Sequence, residues 1–133
     1  MIVVDSNVLV YLYLPTDRSV QAEKLRVLEP HWVAPRLWRS EMRSALSLYI
    51  RQRLITLEQA LHIQAAAEHL LADAEFDIPS IEVLQLVNSS NCSAYDCEFV
   101  ALAQRLGIKL VTSDKNVLRE FPETAMALAK AVT

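Results

Sequence analysis

Short apolar runs alternate along this chain with longer segments of helical periodicity. The short runs predict strands at residues 1–4, 31–34, 76–78 and 108–112. Segments in which apolar residues recur every three or four positions predict helices at residues 7–14, 17–28, 35–53, 56–72, 81–87, 93–106, 114–120 and 123–132. This alternation indicates an α/β fold with three layers, α/β/α, in which a central parallel sheet is covered on both faces and helices predominate.

Capping residues support several of these boundaries. Asp17 is a plausible N-cap of the second helix, and Pro35 is expected at the start of the third, where proline is tolerated. Thr56 and Gln59 have the spacing of a capping box, and Gly107 is expected to end the sixth helix. The residue that opens that sixth helix is either Asn91 or Ser93.

Composition and length change this picture little. The 133 residues suit a single domain over residues 1–133, and 53% hydrophobic content with 22% charged residues is typical of a compact domain. The longest strongly apolar stretch, at residues 8–14, falls far short of the ~20 residues that span a membrane. No basic segment precedes Asp5, so no signal peptide is predicted. The two cysteines are expected to be free thiols in a cytoplasmic protein.

Two acidic residues follow predicted strands. Asp5 ends the first strand, and Asp114 follows the last. In a parallel sheet, ligands bind at the carboxyl ends of the strands, so both residues are candidates for a site. Each also begins a helix, and the alternative is that each serves only as an N-cap.

Glu41 lies at an unusual position on the third helix. At about 100° per residue it falls among Leu37, Ala45 and Leu48, while the arginines of this helix fall on the opposite face. A glutamate that faces the core needs a compensating group. Glu41 is therefore predicted to belong to a functional site, where a bound group compensates its charge. The alternative is a buried ion pair with a basic side chain.

Asp96 repeats this pattern on the sixth helix. Val100 and Ala103 lie on its face, whereas Glu98 points away with Arg105 and is expected to be solvated. The alternative role for Asp96 is a capping box with Ser93, although Glu or Gln suits that role better.

If the fold brings these four acids together, their charges require a cation. Like charges at close range are unfavourable, and a site of oxygen ligands alone suits Mg²⁺ or Mn²⁺ rather than Zn²⁺. The net charge of −3 argues against a nucleic-acid partner, but without the four acids 12 acidic residues remain against 13 basic ones. Basic side chains on the third helix, among them Arg36, Arg39 and Arg43, could then bind a phosphate backbone. The alternative is that they form only a solvated basic face.

Four motifs in this order resemble the PIN domain family, and within it the small VapC-type toxins. They are VVDSNVLV, SEMRSAL, SAYDCEFVALAQRLG and LVTSDKNVL, and together they span nearly the whole chain. The resemblance implies a PIN-like fold and a metal-dependent endoribonuclease. It places the family's acidic positions on Asp5, Glu41, Asp96 and Asp114, as catalytic and metal-binding residues. Asn7 and Ser113 match the polar positions that support the site.

The resemblance also implies partners. Members of the family usually form homodimers, and VapC-type toxins are usually inhibited by a small antitoxin protein. The apolar helices at residues 56–71 and 7–14 are candidate faces for either partner, with Trp32, Trp38, Tyr11, Tyr13 and Tyr49 as possible anchors or, alternatively, core residues.

Two other function classes stay open at this point. One is a non-catalytic PIN-like module that binds RNA or protein. The other is a phosphoryl-transfer domain, related to haloacid-dehalogenase-like phosphatases or response-regulator receivers. The phosphatases require an Asp where this chain has Asn7, and the receivers require a middle strand that residues 50–70 do not offer.

Overall fold

Five parallel strands form the centre of the fold in the computed structural model, which describes residues 1–133. Their order in the sheet is β3-β2-β1-β4-β5. The strands are β1 Ile2–Val4, β2 Trp32–Pro35, β3 Glu75–Phe76, β4 Leu110–Thr112 and β5 Ala125–Ala127. The helices are α1 Ser6–Tyr13, α2 Ser19–Leu28, α3 Trp38–Arg51, α4 Leu57–Leu70, α5 Ser80–Asn88, α6 Ala94–Leu106, α7 Lys115–Glu120 and α8 Leu128–Ala131. This architecture confirms the predicted fold class.

The first strand is the centre of the sheet. Val3 pairs with Val33 of β2 on one side and with Leu110 of β4 on the other. All residues of β1, β2 and β4 are buried, as expected for a parallel sheet whose two faces are both covered. The helix α6 packs across β1, β2 and β4 and against α5, while α1 packs against α2, α3 and α4. No helix is long and apolar enough to cross a membrane.

Several predicted boundaries are confirmed by the local geometry. Thr56 and Gln59 form the capping box at the start of α4. Ser93 is the N-cap of α6, and Gly107 ends that helix in the left-handed region with φ +66°. Both cysteines are free and buried.

Two predicted helix starts are wrong. The helix α2 begins at Ser19, after Arg18, so Asp17 is not its N-cap. Pro35 is the last residue of β2 and not the first turn of α3, because it pairs with Phe76 of β3. The backbone is therefore held in the sheet at this point, and α3 begins at Trp38.

The last predicted helix, at residues 123–132, is also wrong. Ala125–Ala127 instead form β5, and only Leu128–Ala131 are helical. Alanine favours a helix, but β4 has an edge that needs a hydrogen-bonding partner, and Ala125 pairs with Leu110 there. Tertiary pairing thus overrides intrinsic propensity in this segment.

A buried carboxylate fixes α3 against the sheet. Glu75 of β3 accepts hydrogen bonds from Trp38 Nε1 at 2.8 Å and from Arg39 Nε and Nη2 at 2.6 and 2.8 Å. Arg39 also contacts Glu68 of α4 at 3.2 Å. The hydrogen bonds from Arg39 hold the pKa of Glu75 below its usual range. This network sets the rotation of α3 about its axis.

Replacing Glu75 with Ala is expected to destabilise the fold by about 3 kcal/mol, since it leaves a buried indole N–H and a partly buried guanidinium without their acceptor. The measurement is urea unfolding at pH 7. Arg36→Ala is the matched control, because the Arg36 side chain is 56% exposed and its ion pairs are expected to contribute at most about 1 kcal/mol. Equal effects of the two variants would contradict this role of Glu75.

Candidate active site

Asp5 lies at the carboxyl end of the central strand. It is 9% exposed, and its two carboxylate oxygens accept from the Ser6 N–H at 2.8 Å and from the Thr112 hydroxyl at 2.7 Å. Burial raises the pKa of Asp5 to about 7, against the lowering effect of these hydrogen bonds, and the charges of Glu41 and Asp96 add to the increase. Asp5 is also the N-cap of α1, so capping and a place in the site coexist.

Thr112 joins the ends of β1 and β4. Its hydroxyl donates to Asp5 and accepts from the Asp114 N–H at 3.0 Å and from Asn7 Nδ2 at 3.3 Å. The Ser113 N–H donates to Asn7 Oδ1 at 3.4 Å. The two residues predicted to support the site, Asn7 and Ser113, therefore bridge the loops that carry Asp5 and Asp114.

Asp114 is the N-cap of α7. Its Oδ1 accepts from the N–H groups of Asn116 and Val117 at 2.9 and 3.0 Å, while its Oδ2 makes no hydrogen bond within the protein. One oxygen of this carboxylate thus orients the group, and the other is available to a ligand.

Glu41 reaches the same region from α3. The Ser6 hydroxyl donates to Glu41 Oε1 at 2.8 Å. Burial raises the pKa of Glu41, the bond from Ser6 opposes this increase, and the charge of Asp96 adds to it. No lysine or arginine pairs with Glu41, so the buried ion pair considered as its alternative role is absent.

Asp96 approaches from the first turn of α6. Its backbone N–H donates to the Ser93 hydroxyl at 3.1 Å. Burial, followed by the charge of Asp114, raises the pKa of Asp96, and hydrogen bonding with Ser93 opposes the increase. The Ser93 hydroxyl therefore caps the helix, but the Asp96 carboxylate does not complete the capping box that was its alternative role.

The four carboxylates form one electrostatic cluster without a protein counter-ion. None of them takes part in an ion pair with Lys, Arg or His. No group of three or more His, Cys, Asp or Glu side chains is close enough together to hold a metal ion through direct bonds alone. Mg²⁺ commonly keeps several waters and binds protein through one or two carboxylates, so this spaced set of oxygen donors fits such an ion.

The three arginines predicted to contact RNA have different environments. Arg39 is held by Glu75 and Glu68, and Arg36 contacts Asp77 and Glu75, so both are engaged within the protein. Arg43 is exposed and makes no ion pair. Within this set, Arg43 alone is a cation without a protein partner.

Glu98 is half-buried, so the prediction that it is solvated is wrong. Burial, followed by the charges of Glu41 and Asp77, raises the pKa of Glu98. Most residues of α6 from Cys97 to Ala103 are buried, and Glu98 lies among them rather than on the exposed side that carries Tyr95. The apolar neighbours Cys97 and Phe99 were the available signal.

The chain is similar to known proteins in both sequence and fold. Ribonuclease VapC3 of Pyrobaculum aerophilum is 31% identical over 134 aligned residues, which cover 91% of this chain and 95% of that protein. The crystal structure of FitAcB from Neisseria gonorrhoeae has the same fold, with a TM-score of 0.71 and 17% identity over 97% of this chain and 99% of that chain. The family model of the PIN domain matches residues 2–124. The chain therefore belongs to the PIN domain family.

Proposed function

We propose that this protein is a metal-dependent endoribonuclease of the VapC type. The observation that carries the proposal is the cluster of Asp5, Glu41, Asp96 and Asp114 at the carboxyl ends of β1 and β4, without a protein counter-ion. The similarity of this chain to a protein named Ribonuclease VapC3, over most of the length of both, supports the same activity.

The residues of the site have separable roles in this proposal. Asp5, Asp96 and Asp114 would hold Mg²⁺ or Mn²⁺, one or two of them directly and the others through bound water, with Glu41 as a further ligand or as a partner of bound water. A bound ion of this kind lowers the pKa of a water molecule and neutralises charge on the phosphate. Thr112 orients Asp5, and Ser6 orients Glu41, through the hydrogen bonds described above. No histidine or cysteine nucleophile is required.

The proposal is tested by the cleavage of single-stranded RNA in Mg²⁺, in Mn²⁺ and in EDTA. We expect cutting with either ion and none in EDTA, because EDTA removes the ion that would lower the pKa of the attacking water and neutralise charge on the phosphate. Failure to cut any RNA in a folded preparation free of other proteins would instead favour a non-catalytic binding module.

Direct metal binding provides a second prediction. Asp96→Asn is expected to weaken Mn²⁺ binding by at least about 10-fold, since it removes one negative charge from the cluster. The measurement is isothermal titration calorimetry with MnCl₂. Asp73→Asn is the matched control, because Asp73 is exposed and has no side-chain hydrogen bond. Equal affinity of the Asp96→Asn and Asp73→Asn variants would remove Asp96 from the site.

A protein partner is part of the same proposal. The leucines Leu54, Leu57 and Leu61 at the α3–α4 connection and on α4 are more than 60% exposed, and such an apolar surface suits an antitoxin segment. Trp32 and Trp38 are core residues and cannot serve as anchors, whereas Tyr11, Tyr13 and Tyr49 are half-buried. Dimerisation stays a prediction.

A further inference from the structure

A cavity of about 430 Å³ opens beside Asp114, at the carboxyl edge of the sheet. It lies between the α1–α2 connection, the loop after β4, and the junction of β5 with α8. Its lining residues with side-chain hydrogen-bonding groups are Asp17, Arg18, Gln21, Ser113 and Lys115. Because Ser113 and Lys115 are the chain neighbours of Asp114, a polymer that crosses the acidic cluster would pass next into this cavity.

Two cations in the lining have no carboxylate partner. Arg18 is held by Tyr11, with its guanidinium carbon 5.6 Å from the ring centroid and its Nη1 donating to the phenol oxygen at 3.2 Å. Neither Arg18 nor Lys115 forms an ion pair. Arg36 and Arg39, by contrast, are both paired. The lining of this cavity therefore carries two positive charges that are free to meet a ligand.

The neutral groups of the lining are also available. The Gln21 amide and the Ser113 hydroxyl make no hydrogen bond with another protein group, and both can donate. Asp17 is the one acid in the lining, so two positive charges face one negative charge. This excess of donors and positive charge, in a chain whose net charge is −3, is complementary to a phosphate group.

We propose that this cavity binds the phosphodiester backbone of the RNA strand next to the scissile phosphate. The inference rests on the proposed function and adds to it the direction in which the strand leaves the acidic cluster. Lys115 and Arg18 each neutralise a backbone phosphate that would otherwise lie near the carboxylates without compensation. Gln21 and Ser113 donate to the phosphate oxygens or to the neighbouring ribose.

The test measures the binding of a fluorescein-labelled oligouridylate by anisotropy, in EDTA so that no cleavage occurs, over a range of salt concentrations. The variants are Arg18→Gln, Lys115→Gln and their combination, and Arg18→Lys retains the charge. The matched control is Lys24→Gln, an exposed cation on α2 outside the cavity. Circular dichroism and thermal unfolding verify that each variant is folded.

The double variant is expected to bind RNA about 10-fold more weakly than the wild type. Its slope of log affinity against log salt should be smaller by about 1.4, because each lost phosphate contact contributes about 0.7 for single strands. Arg18→Lys and Lys24→Gln should bind like the wild type.

Three outcomes would overturn the inference, and they are distinguishable. If the wild type binds and cleaves RNA while the double variant binds it equally with the same salt slope, the cavity assignment fails and the proposed function stands. If the wild type neither binds nor cleaves RNA, both fail. If a hexaglutamate displaces RNA from the wild type as well as an oligouridylate of equal charge, the cavity accepts an acidic protein segment instead.

Discussion

Asp5→Asn is expected to lower RNA cleavage by on the order of 10³-fold, more than the roughly 10–100-fold that loss of an outer partner of a metal ligand costs. Asp5 is the most buried of the four acids and lies at the end of the central strand. Its carboxylate contacts Ser6, at the start of α1, and Thr112, at the end of β4. The substitution removes the negative charge but keeps an oxygen that can accept from the Ser6 N–H. The variant should therefore be folded and inactive.

The measurement is kcat/KM for a fluorescent oligoribonucleotide in Mn²⁺, with unfolding curves for each variant. Asp73→Asn makes the same chemical change at an exposed site and should cleave like the wild type. Thr112→Val removes the hydroxyl that orients Asp5 and should fall between the two, about 10–100-fold below the wild type. An Asp5→Asn protein that cuts RNA at the wild-type rate would exclude this site as the catalytic centre.

The acids at strand ends could be identified from the sequence because their position is a local property. Asp5 and Asp114 each follow a short apolar run that is too buried to tolerate an isolated charge. Their joint hydrogen bonding through Thr112 could not be predicted in the same way, since it depends on the pairing of β1 with β4 across more than 100 residues. The sequence thus predicts the acids at the strand ends but not the hydrogen bonds that link them through Thr112.

The helical wheel predicts correctly that Glu41 is partly buried, but it places the buried face of α3 at the wrong angle. The buried stripe of α3 consists of Trp38, Met42 and Leu46, roughly 100° around the helix from Glu41, whereas Leu48, on the predicted apolar face, is 56% exposed. Glu41 lies at the margin of the buried stripe, which is why it is half-buried and reaches Ser6. The rotation of α3 about its axis depends on the hydrogen bonds that Trp38 and Arg39 donate to Glu75 of β3. A helical wheel of α3 alone contains no information about these contacts.

Interactions between distant segments also explain what was missed. The strand β5 exists because the edge of β4 needs a partner, and the cavity beside Asp114 exists because three separate connections meet at one edge. Arg18 is unremarkable in the sequence, and only its contact with Tyr11 shows that it is held without a carboxylate. Features of this kind depend on packing across the sheet rather than on local pattern.

The stability of the metal-free protein should fall as pH rises, through the titration of Asp5. Its folded-state pKa is raised from 3.8 to about 7, so between these values the folded protein binds a proton that the unfolded chain does not. The stabilisation is fully present below about pH 4 and is lost as pH rises through about 7, with a total of about 4 kcal/mol for this group.

Comparison with Asp5→Asn isolates this contribution from those of other groups. Burial also raises the pKa of Glu41 and Asp96, which contribute slopes of the same sign, whereas the lowered pKa of Glu75 gives stability that is lost as pH falls. The measurement is urea unfolding in EDTA at intervals between pH 4 and pH 8. Between these limits the wild type should lose about 4 kcal/mol more than Asp5→Asn, because only the wild type must ionise a carboxyl at the buried position 5.

The Asp73→Asn control should follow the wild-type profile, because its substituted side chain is exposed at every pH. Parallel profiles for the wild type and Asp5→Asn would mean that Asp5 ionises in the folded state as easily as in the unfolded chain. The cluster would then carry no stored electrostatic cost for a divalent cation to relieve. The pH profile of the metal-free protein therefore tests the physical premise of the metal site independently of any cleavage assay.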